Sequence, residues 1–196
     1  MSRFHRQYFN QIADQWNNIT GENHNLRTYL QEFGVRTGEY VLDVGTGTGR
    51  LLDILEELVG KHGFIIALDI AEQMLLQINI HRPNICRLCA DVSFPCLKKN
   101  LFDKVICFST FPHIKNKTRA LTELYSILKP GGKLLVFHTT CSRKLNKFHS
   151  QLNHIVCNDE LPSAAELVAS ARTSGYQPIK CLEKPHLYWV EMAKPA

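Results

Sequence analysis

The sequence of 196 residues lacks a long apolar run, a leader-like segment and a strong excess of either charge. No run approaches the roughly 20 apolar residues that a membrane-spanning helix needs, and the N-terminus does not pass from basic to apolar residues as a secretory leader does. Lys and Arg number 23 against 18 Asp and Glu, a small surplus that is spread along the chain. We therefore expect a cytoplasmic protein without a membrane partner, and we do not expect nucleic acid as its ligand.

A paired cysteine framework is also missing, because the seven cysteines are odd in number and scattered. This usage is typical of a reducing compartment. Cys86 and Cys89 form a CxxC pair, and Cys96 follows. The pair lies in a predicted strand, where residues three apart point to opposite faces and cannot easily share one ion. We expect buried structural thiols here and predict no metal site.

Short apolar runs alternate with helical patterns through the middle of the chain. Such runs are typical of parallel strands that helices cover on both faces, joined by right-handed crossovers. Predicted strands cover 40–44, 64–70, 85–91, 104–110 and 133–139, and predicted helices cover 49–59, 71–80 and 116–128.

The two ends of the chain follow other patterns. Amphipathic helices are predicted over 2–20 and 23–33, and a polar, helical segment over 141–158. Ser163 and Glu166 form a capping box that begins a helix over 163–174. Two strands, 178–184 and 187–193, flank Pro185-His186 as an antiparallel hairpin.

These elements predict an α/β protein: a Rossmann-like, doubly wound, mostly parallel seven-stranded sheet with a C-terminal antiparallel hairpin. The length suits a single domain over 1–196. We divide it into an N-terminal helical cap (1–39), a ligand-binding core (40–139) and a segment of 140–196 that closes the sheet.

A glycine-rich loop, VLDVGTGTGR, follows the first core strand at 41–50. Glycines let a ligand approach the backbone closely, and the helix behind them offers free N–H groups. A Walker lysine is absent, and the dinucleotide pattern GxGxxG would need glycine where Arg50 stands. Asp43, two residues before Gly45, would repel a pyrophosphate but attract an ammonium group. The loop therefore favours a ligand with an amino-acid end and a nucleoside end.

This pattern, acid-x-Gly-x-Gly-x-Gly, resembles motif I of the class I S-adenosylmethionine-dependent methyltransferases. FDKVICFSTFPHI (102–114) and LKPGGKLLVF (128–137) are similar to the ubiquinone/menaquinone-type, small-molecule branch. The resemblance implies S-adenosyl-L-methionine as cofactor and S-adenosyl-L-homocysteine as product.

The same resemblance implies donor-binding residues at the ends of successive strands. Asp69 would accept from the ribose hydroxyls, and Asp91 would bond the adenine amine with Val92 alongside the ring. Capping of the following helix is the alternative role for Asp69 and Asp91. The full predicted donor set is Asp43, Gly45, Thr46, Gly47, Gly49, Asp69, Ile70, Asp91, Val92 and Ser109.

The loop after the fourth strand, STFPH at 109–113, should flank the transferred methyl group. Nucleobase-amine methyltransferases carry an Asn/Asp-Pro-Pro-aromatic motif at this place, and this chain does not. His113 is our candidate general base; the alternative is a helix-start histidine without a catalytic role. Candidate acceptor-binding residues are Tyr8, Trp16, Phe111, His138 and His149.

Two alternatives stay open around the acceptor. The aromatic stripe of the first helix is either a lid over the site or packing against the sheet edge. The histidines at 138, 149 and 154 have two interpretations. They either gather at the acceptor, as proton acceptors or as ligands of a metal that the acceptor carries, or they are solvated and capping groups.

The sequence therefore predicts a methyltransferase for a small-molecule acceptor, methylated at oxygen, carbon or another centre. The alternatives are a module that binds the donor without turnover, or an RNA methyltransferase. We expect a monomer or a homodimer.

Overall fold

The computed structural model describes residues 3–20, 25–79 and 82–196. The predicted helix positions 2, 23–24 and 80 lie outside these ranges. Within them, no helix is long and apolar enough to span a membrane.

Seven strands form one sheet in the order β3-β2-β1-β4-β5-β7-β6. The first five run parallel, whereas β7 runs antiparallel to both of its neighbours. The predicted fold class, including the C-terminal antiparallel hairpin, is confirmed. The strands are β1 (Tyr40–Val44), β2 (Phe64–Asp69), β3 (Ile85–Cys89), β4 (Phe102–Phe108), β5 (Leu128–His138), β6 (Gln177–Lys184) and β7 (Leu187–Ala193).

Helices cover both faces of the sheet and the cap region. The N-terminal helix predicted as one element is broken by a 3₁₀ turn at Ala13–Gln15. Further 3₁₀ turns lie at Phe111–His113 and Ile155–Asn158. The α-helices are α1 (Arg3–Gln11), α2 (Trp16–Thr20), α3 (Leu26–Phe33), α4 (Leu52–Val59), α5 (Glu72–Leu76), α6 (Lys117–Ile127), α7 (Ser142–Ser150) and α8 (Ala164–Arg172).

The core has two layers, one on each face of the sheet, and strand residues alternate between them. Leu42 and Val44 of β1 pack in one layer with α6 and α8, whereas Val41 packs in the other with α3 and α4. This is the period-two alternation that a strand covered on both faces requires. Because β1 to β5 run parallel, their carboxyl ends, and the loops that follow them, meet at one edge of the sheet.

Several boundaries differ from prediction, and two of them have clear local reasons. The predicted helix start at 49 moves to Leu52, because Gly49 has a φ of +89° that no helix accommodates. β5 begins at Leu128 rather than 133, since the register shift opposite Phe102 and Lys104 lets the strand pass through Pro130-Gly131-Gly132. The segment 141–158 divides into α7 and the 3₁₀ turn.

The expectation of buried thiols in the CxxC segment was wrong. Cys86, Cys89 and Cys96 are all exposed. β3 is one of the two edge strands of the sheet, so less of it is covered than of the inner strands. Among the described residues, no group of three or more His, Cys, Asp or Glu side chains is arranged to hold a metal ion.

The capping box at α8 provides a test of the fold. Ser163 Oγ accepts from the Glu166 N–H at 3.3 Å, and the Glu166 carboxylate accepts from the Ser163 N–H at 2.8 Å. We expect Ser163→Ala to lower the free energy of unfolding by about 1 kcal/mol in urea titration, because it removes this cap. Ser170→Ala, within the same helix, is the matched control and should change little; equal losses in both variants would contradict the cap.

Candidate active site

A cavity of about 240 Å³ opens at the carboxyl ends of the parallel strands. Ligands bind at this edge in open α/β sheets, because the loops that follow the strands converge there. Side chains from six parts of the chain form its wall: Phe9, Trp16, Asp43, Gly45, Thr46, Gly47, Arg50, Leu51, Asp69, Met74, Phe108, Ser109, Thr110, His113, Thr139 and His149.

The glycine loop forms the floor of the cavity with a backbone that excludes side chains. Gly45 has a φ of +67°, and a Cβ on it would lie 2.0 Å from Thr110 Oγ1. Gly47 has a φ of +57°, and a Cβ there would lie 3.3 Å from the indole nitrogen of Trp16. Both residues must therefore be glycine for the loop to pass between β4 and α2.

Asp43 is a buried acid with little compensation. The Thr46 hydroxyl donates to Asp43 Oδ2 at 2.7 Å, and the carboxyl group is only 2% exposed. Burial raises the pKa of Asp43 to about 7, since this hydrogen bond offsets only part of the desolvation and the nearby Asp69 charge raises it further. A cation in the cavity would restore its ionised form.

Asp69 lies at the end of β2 and faces the same cavity. Its carboxylate accepts from the backbone N–H of Gly47 and of Ala71, both at 2.9 Å. Burial still raises the pKa of Asp69, although these hydrogen bonds oppose the shift. The bond to Ala71 is a local turn contact rather than the helix cap that we considered as an alternative, because Ala71 is itself the N-cap residue of α5 and that helix has no side-chain cap. The bond to Gly47 ties β2 to the glycine loop.

The predicted adenine-side residues lie outside the cavity wall. Ile70, Asp91 and Val92 are not among the lining residues. Asp91 accepts from the Ser93 N–H at 2.8 Å, and Val92 is buried in the core. The buried Ser93 hydroxyl has no protein partner among the described residues.

The loop after β4 contributes three side chains to the wall: Ser109, Thr110 and His113. Ser109 has a φ of +53°, a left-handed conformation that residues with side chains adopt mainly where the surrounding structure imposes it. Phe111 does not line the cavity, because the 3₁₀ turn places its ring, 0% exposed, in the core layer of α6 and α8.

His113 is paired with an acid that the sequence analysis missed. His113 Nδ1 lies 2.7 Å from Asp159 Oδ2. The same carboxylate receives His5 Nε2 at 2.8 Å and Lys115 Nζ at 2.9 Å. Burial would raise the pKa of Asp159, but these three donors hold it well below its usual range.

The other predicted histidines divide between the wall and the core. His149 lines the cavity, and its Nδ1 lies 2.7 Å from the Asp159 carbonyl oxygen. Its ring centroid is 5.3 Å from that of His113. His138 is not part of the wall; burial lowers its pKa to about 3 and keeps it neutral. His154 instead contacts the ring of Tyr8, which also lies outside the wall.

α1 and α2 close one side of the cavity with Phe9 and Trp16. α1 packs on the start of α5 and on the turn at 155–158, through a cluster that includes Met74 and Val156. The main packing partners of α1 are therefore another helix and a turn rather than a strand of the sheet. The Thr48 hydroxyl also donates to Asn17 Oδ1 at 2.6 Å, which joins α2 to the glycine loop.

Comparisons with known proteins agree with this geometry. A family model described as a methyltransferase domain matches residues 42–136. A ubiquinone/menaquinone biosynthesis C-methyltransferase of Wigglesworthia glossinidia brevipalpis is 28% identical over 178 residues, which are 81% of this chain and 70% of that protein. A ubiquinone biosynthesis O-methyltransferase of Coxiella burnetii is 28% identical over 152 residues, 71% of this chain and 62% of that protein.

The fold is shared with solved structures as well. The crystal structure of a SAM-dependent methyltransferase from Aquifex aeolicus has a TM-score of 0.73 at 21% identity, covering 96% of this chain and 98% of that one. This chain is a class I S-adenosylmethionine-dependent methyltransferase. The predicted ubiquinone-type branch is confirmed, although this methyltransferase spans less than two thirds of its Coxiella relative.

S-Adenosylmethionine is the cofactor, and the residues present fit it. Gly45 and Gly47 present bare backbone to the cavity, and among the described residues the buried Asp43 is bound by the Thr46 hydroxyl and by no cation. The Ser93 hydroxyl adds an unused donor next to Asp91. A sulfonium nucleoside with an ammonium end supplies the matching groups.

Sequence reasoning missed several residues of the site. Asp159 and His5 carry no motif and lie far from the glycine loop in the chain. Arg50 was noted only for displacing a glycine, yet it lines the cavity and stacks over Phe108 at 5.7 Å. The other wall residues that were missed are Leu51, Met74, Phe108 and Thr139, whereas Phe9 and Thr110 belong to the aromatic stripe and to the loop at 109–113 that the sequence had indicated.

The collision at Gly45 generates a prediction. We expect Gly45→Ala to lower the free energy of unfolding by about 2 kcal/mol or more, because the new methyl group meets Thr110 and adopts a left-handed φ. Calorimetry should also detect no S-adenosylhomocysteine binding, since the loop must move.

Gly131→Ala is the matched control for that experiment. Gly131 has a φ of +77°, but a Cβ there meets nothing within 4 Å. The Gly131→Ala variant should therefore lose only the free energy of unfolding that a left-handed φ costs a residue with a side chain. Equal destabilisation of the two variants would mean that the contact with Thr110 has no role.

Proposed function

We propose that this methyltransferase acts on a small-molecule acceptor that loses a proton, and that His113 accepts this proton. One observation carries the proposal: His113 lines the cavity while its Nδ1 is turned to the buried carboxylate of Asp159. The Nε2 edge of the imidazole is then left for the cavity. A base is needed whether the acceptor is a hydroxyl group or an activated carbon, and the relatives include both O- and C-methyltransferases.

The protonation state of His113 suits a base. Burial lowers the pKa of His113, and the hydrogen bond from its Nδ1 to Asp159 offsets only part of this shift. The charge of Asp159 is already matched by the ammonium of Lys115. A second positive charge on the imidazole therefore gains little, and His113 is neutral and able to accept a proton near pH 7.

The donor would be held by the groups that line or adjoin the cavity. When bound, S-adenosylmethionine supplies a methyl group activated by a positive sulfur. Asp43 is suited to its ammonium group and Asp69 to the ribose hydroxyls. Asp91 and Val92 lie outside the cavity wall, and their assignment to the adenine ring rests on the family resemblance alone. The backbone of the loop at 45–49 would pack against the nucleoside without intervening side chains.

The size and closure of the cavity support a small acceptor. Its volume is about 240 Å³, and Phe9 and Trp16 cover one side of it. A nucleic-acid strand would require a wider, basic groove. Aromatic side chains next to two imidazoles favour a flat, partly apolar molecule, and closure by α1 and α2 would exclude water from the reaction.

Removal of the base provides the main test. We expect His113→Gln to lower kcat for methyl transfer from labelled donor about 10²- to 10⁴-fold, because the acceptor proton has no recipient. Calorimetric affinity for S-adenosylhomocysteine should stay unchanged. His62→Gln replaces an exposed histidine far from the cavity wall and should leave both quantities at the level of the native protein.

Two outcomes would contradict the proposal. Retention of kcat in the His113 variant would show that the imidazole takes no proton. Failure of the native protein to bind S-adenosylhomocysteine at millimolar concentration would remove the donor site itself.

The raised pKa of Asp43 predicts a pH-dependent affinity. An ammonium ligand binds the ionised carboxylate, so ligand binding near pH 6 must release the proton that burial favours. We expect the affinity for S-adenosylhomocysteine to rise about tenfold between about pH 6 and pH 8. Asp43→Asn should bind weakly and without this slope; a slope that persists in the variant would assign the titration to another group.

A further inference from the structure

The carboxylate of Asp159 joins three parts of the chain at one buried point. His5 reaches it from α1, His113 from the turn after β4, and Lys115 from the segment before α6. Its backbone carbonyl binds His149 Nδ1 as a fourth contact. Both the Asp159 carboxylate and the His5 side chain are fully buried. A carboxylate with this many partners is ordered by all of them at once.

These contacts determine the tautomers of the imidazoles. A carbonyl oxygen can only accept, so His149 Nδ1 must carry hydrogen. The Asp159 carboxylate is ionised and also accepts only, so His113 Nδ1 must carry hydrogen as well. In the neutral imidazole of His113, Nε2 is then a bare acceptor. Without Asp159, the opposite tautomer would also be available, and it cannot accept a proton at Nε2.

His5 ties the same carboxylate to the helix that closes the cavity. α1 supplies Phe9 to the wall, and the Phe9 ring meets His113 edge-on at 5.1 Å. α1 is also held by the buried cluster of Phe9 with Met74 and Val156, and by the ion pair of Arg6 with Glu72 at the surface. Displacement of α1 would therefore remove one donor from Asp159 and admit water to both Asp159 and His113.

We propose that Asp159 is a positioning residue that couples closure to base activation: it holds His113 as the Nδ1–H tautomer, and His5 completes this arrangement only when α1 is seated. The inference rests on the proposed role of His113 as base. An acceptor bound under an open helix α1 would meet an imidazole that is not held in the accepting form. Transfer would then begin only after the cavity has closed.

The surrounding charges determine the direction of a pH effect. His113 faces Asp159, His5 and His149, and Lys115 balances Asp159 from its other side. Lys117 and Glu160 lie farther out around the same carboxylate. Because burial is the largest cause of the lowered pKa of His113, solvation by displacement of α1 should raise that pKa toward its ordinary value.

The test reads the tautomer directly and needs no acceptor. Imidazole ¹H–¹⁵N correlation spectra of the full chain with S-adenosylhomocysteine should report the Nδ1–H form for His113, assigned with His113→Gln. In Asp159→Asn, the side-chain NH₂ group is a donor and cannot pair with an imidazole N–H. We therefore expect a mixture of tautomers at His113. In His5→Phe, α1 no longer holds the Asp159 carboxylate and water reaches it, and we expect His113 to lose part of its Nδ1–H form and its pKa to rise.

Two further variants separate this role from a loss of folding. His5→Gln keeps a donor for Asp159 and should restore the native spectrum. Gln7→Ala, on the exposed side of α1, should change nothing. With an acceptor in hand, His5→Phe should lower kcat about tenfold with little change in KM, because binding persists while the base is misaligned.

The outcomes distinguish this inference from the proposed function. Two results would overturn the coupling even if methyl transfer is observed. The first is a spectrum of the native protein that shows His113 in the Nε2–H form. The second is an unchanged signal and pKa of His113 in both His5→Phe and Asp159→Asn. Full activity of His113→Gln would instead overturn the role of the base, on which the coupling rests.

Discussion

The desolvation of negative charge is the constraint on which this site depends. Three acids are buried around one cavity, and each is compensated differently. Asp159 has two imidazoles and an ammonium group, and Asp69 has backbone N–H groups. Within the described part of the chain, Asp43 has only the hydroxyl of Thr46 as a hydrogen-bond partner, and burial raises its pKa to about 7. A pocket that leaves one acid under-compensated is built for a cationic ligand.

Most of the fold could be predicted because its signals are local. Apolar runs, glycines and a capping box define strands, turns and helix starts within a few residues of each other. The position of β7 between β5 and β6 has no local signal, since it depends on which edge remains free after the parallel strands have paired. The same reason explains the exposed thiols of β3: a sequence does not say which strand is outermost.

The residues of the candidate site likewise divide into those with a local sequence signal and those without one. The glycine loop and Asp43 follow from one contiguous motif. Asp159 lies 46 residues from His113 in the chain, and only tertiary packing brings the two together. Phe111 fails as a wall residue because a 3₁₀ turn sends neighbouring side chains in different directions, which a loop sequence does not reveal.

The contact between His5 and Asp159 spans 154 residues of sequence, so it belongs to the last events of folding. During synthesis, the outer edge of β5 stays unpaired until β7 has left the ribosome, and α1 waits for the turn at 155–158 before it can dock. A nascent chain therefore exposes the crevice and the aromatic face of its first helix for most of translation. We therefore expect the site to become able to catalyse methyl transfer in one late folding step rather than gradually.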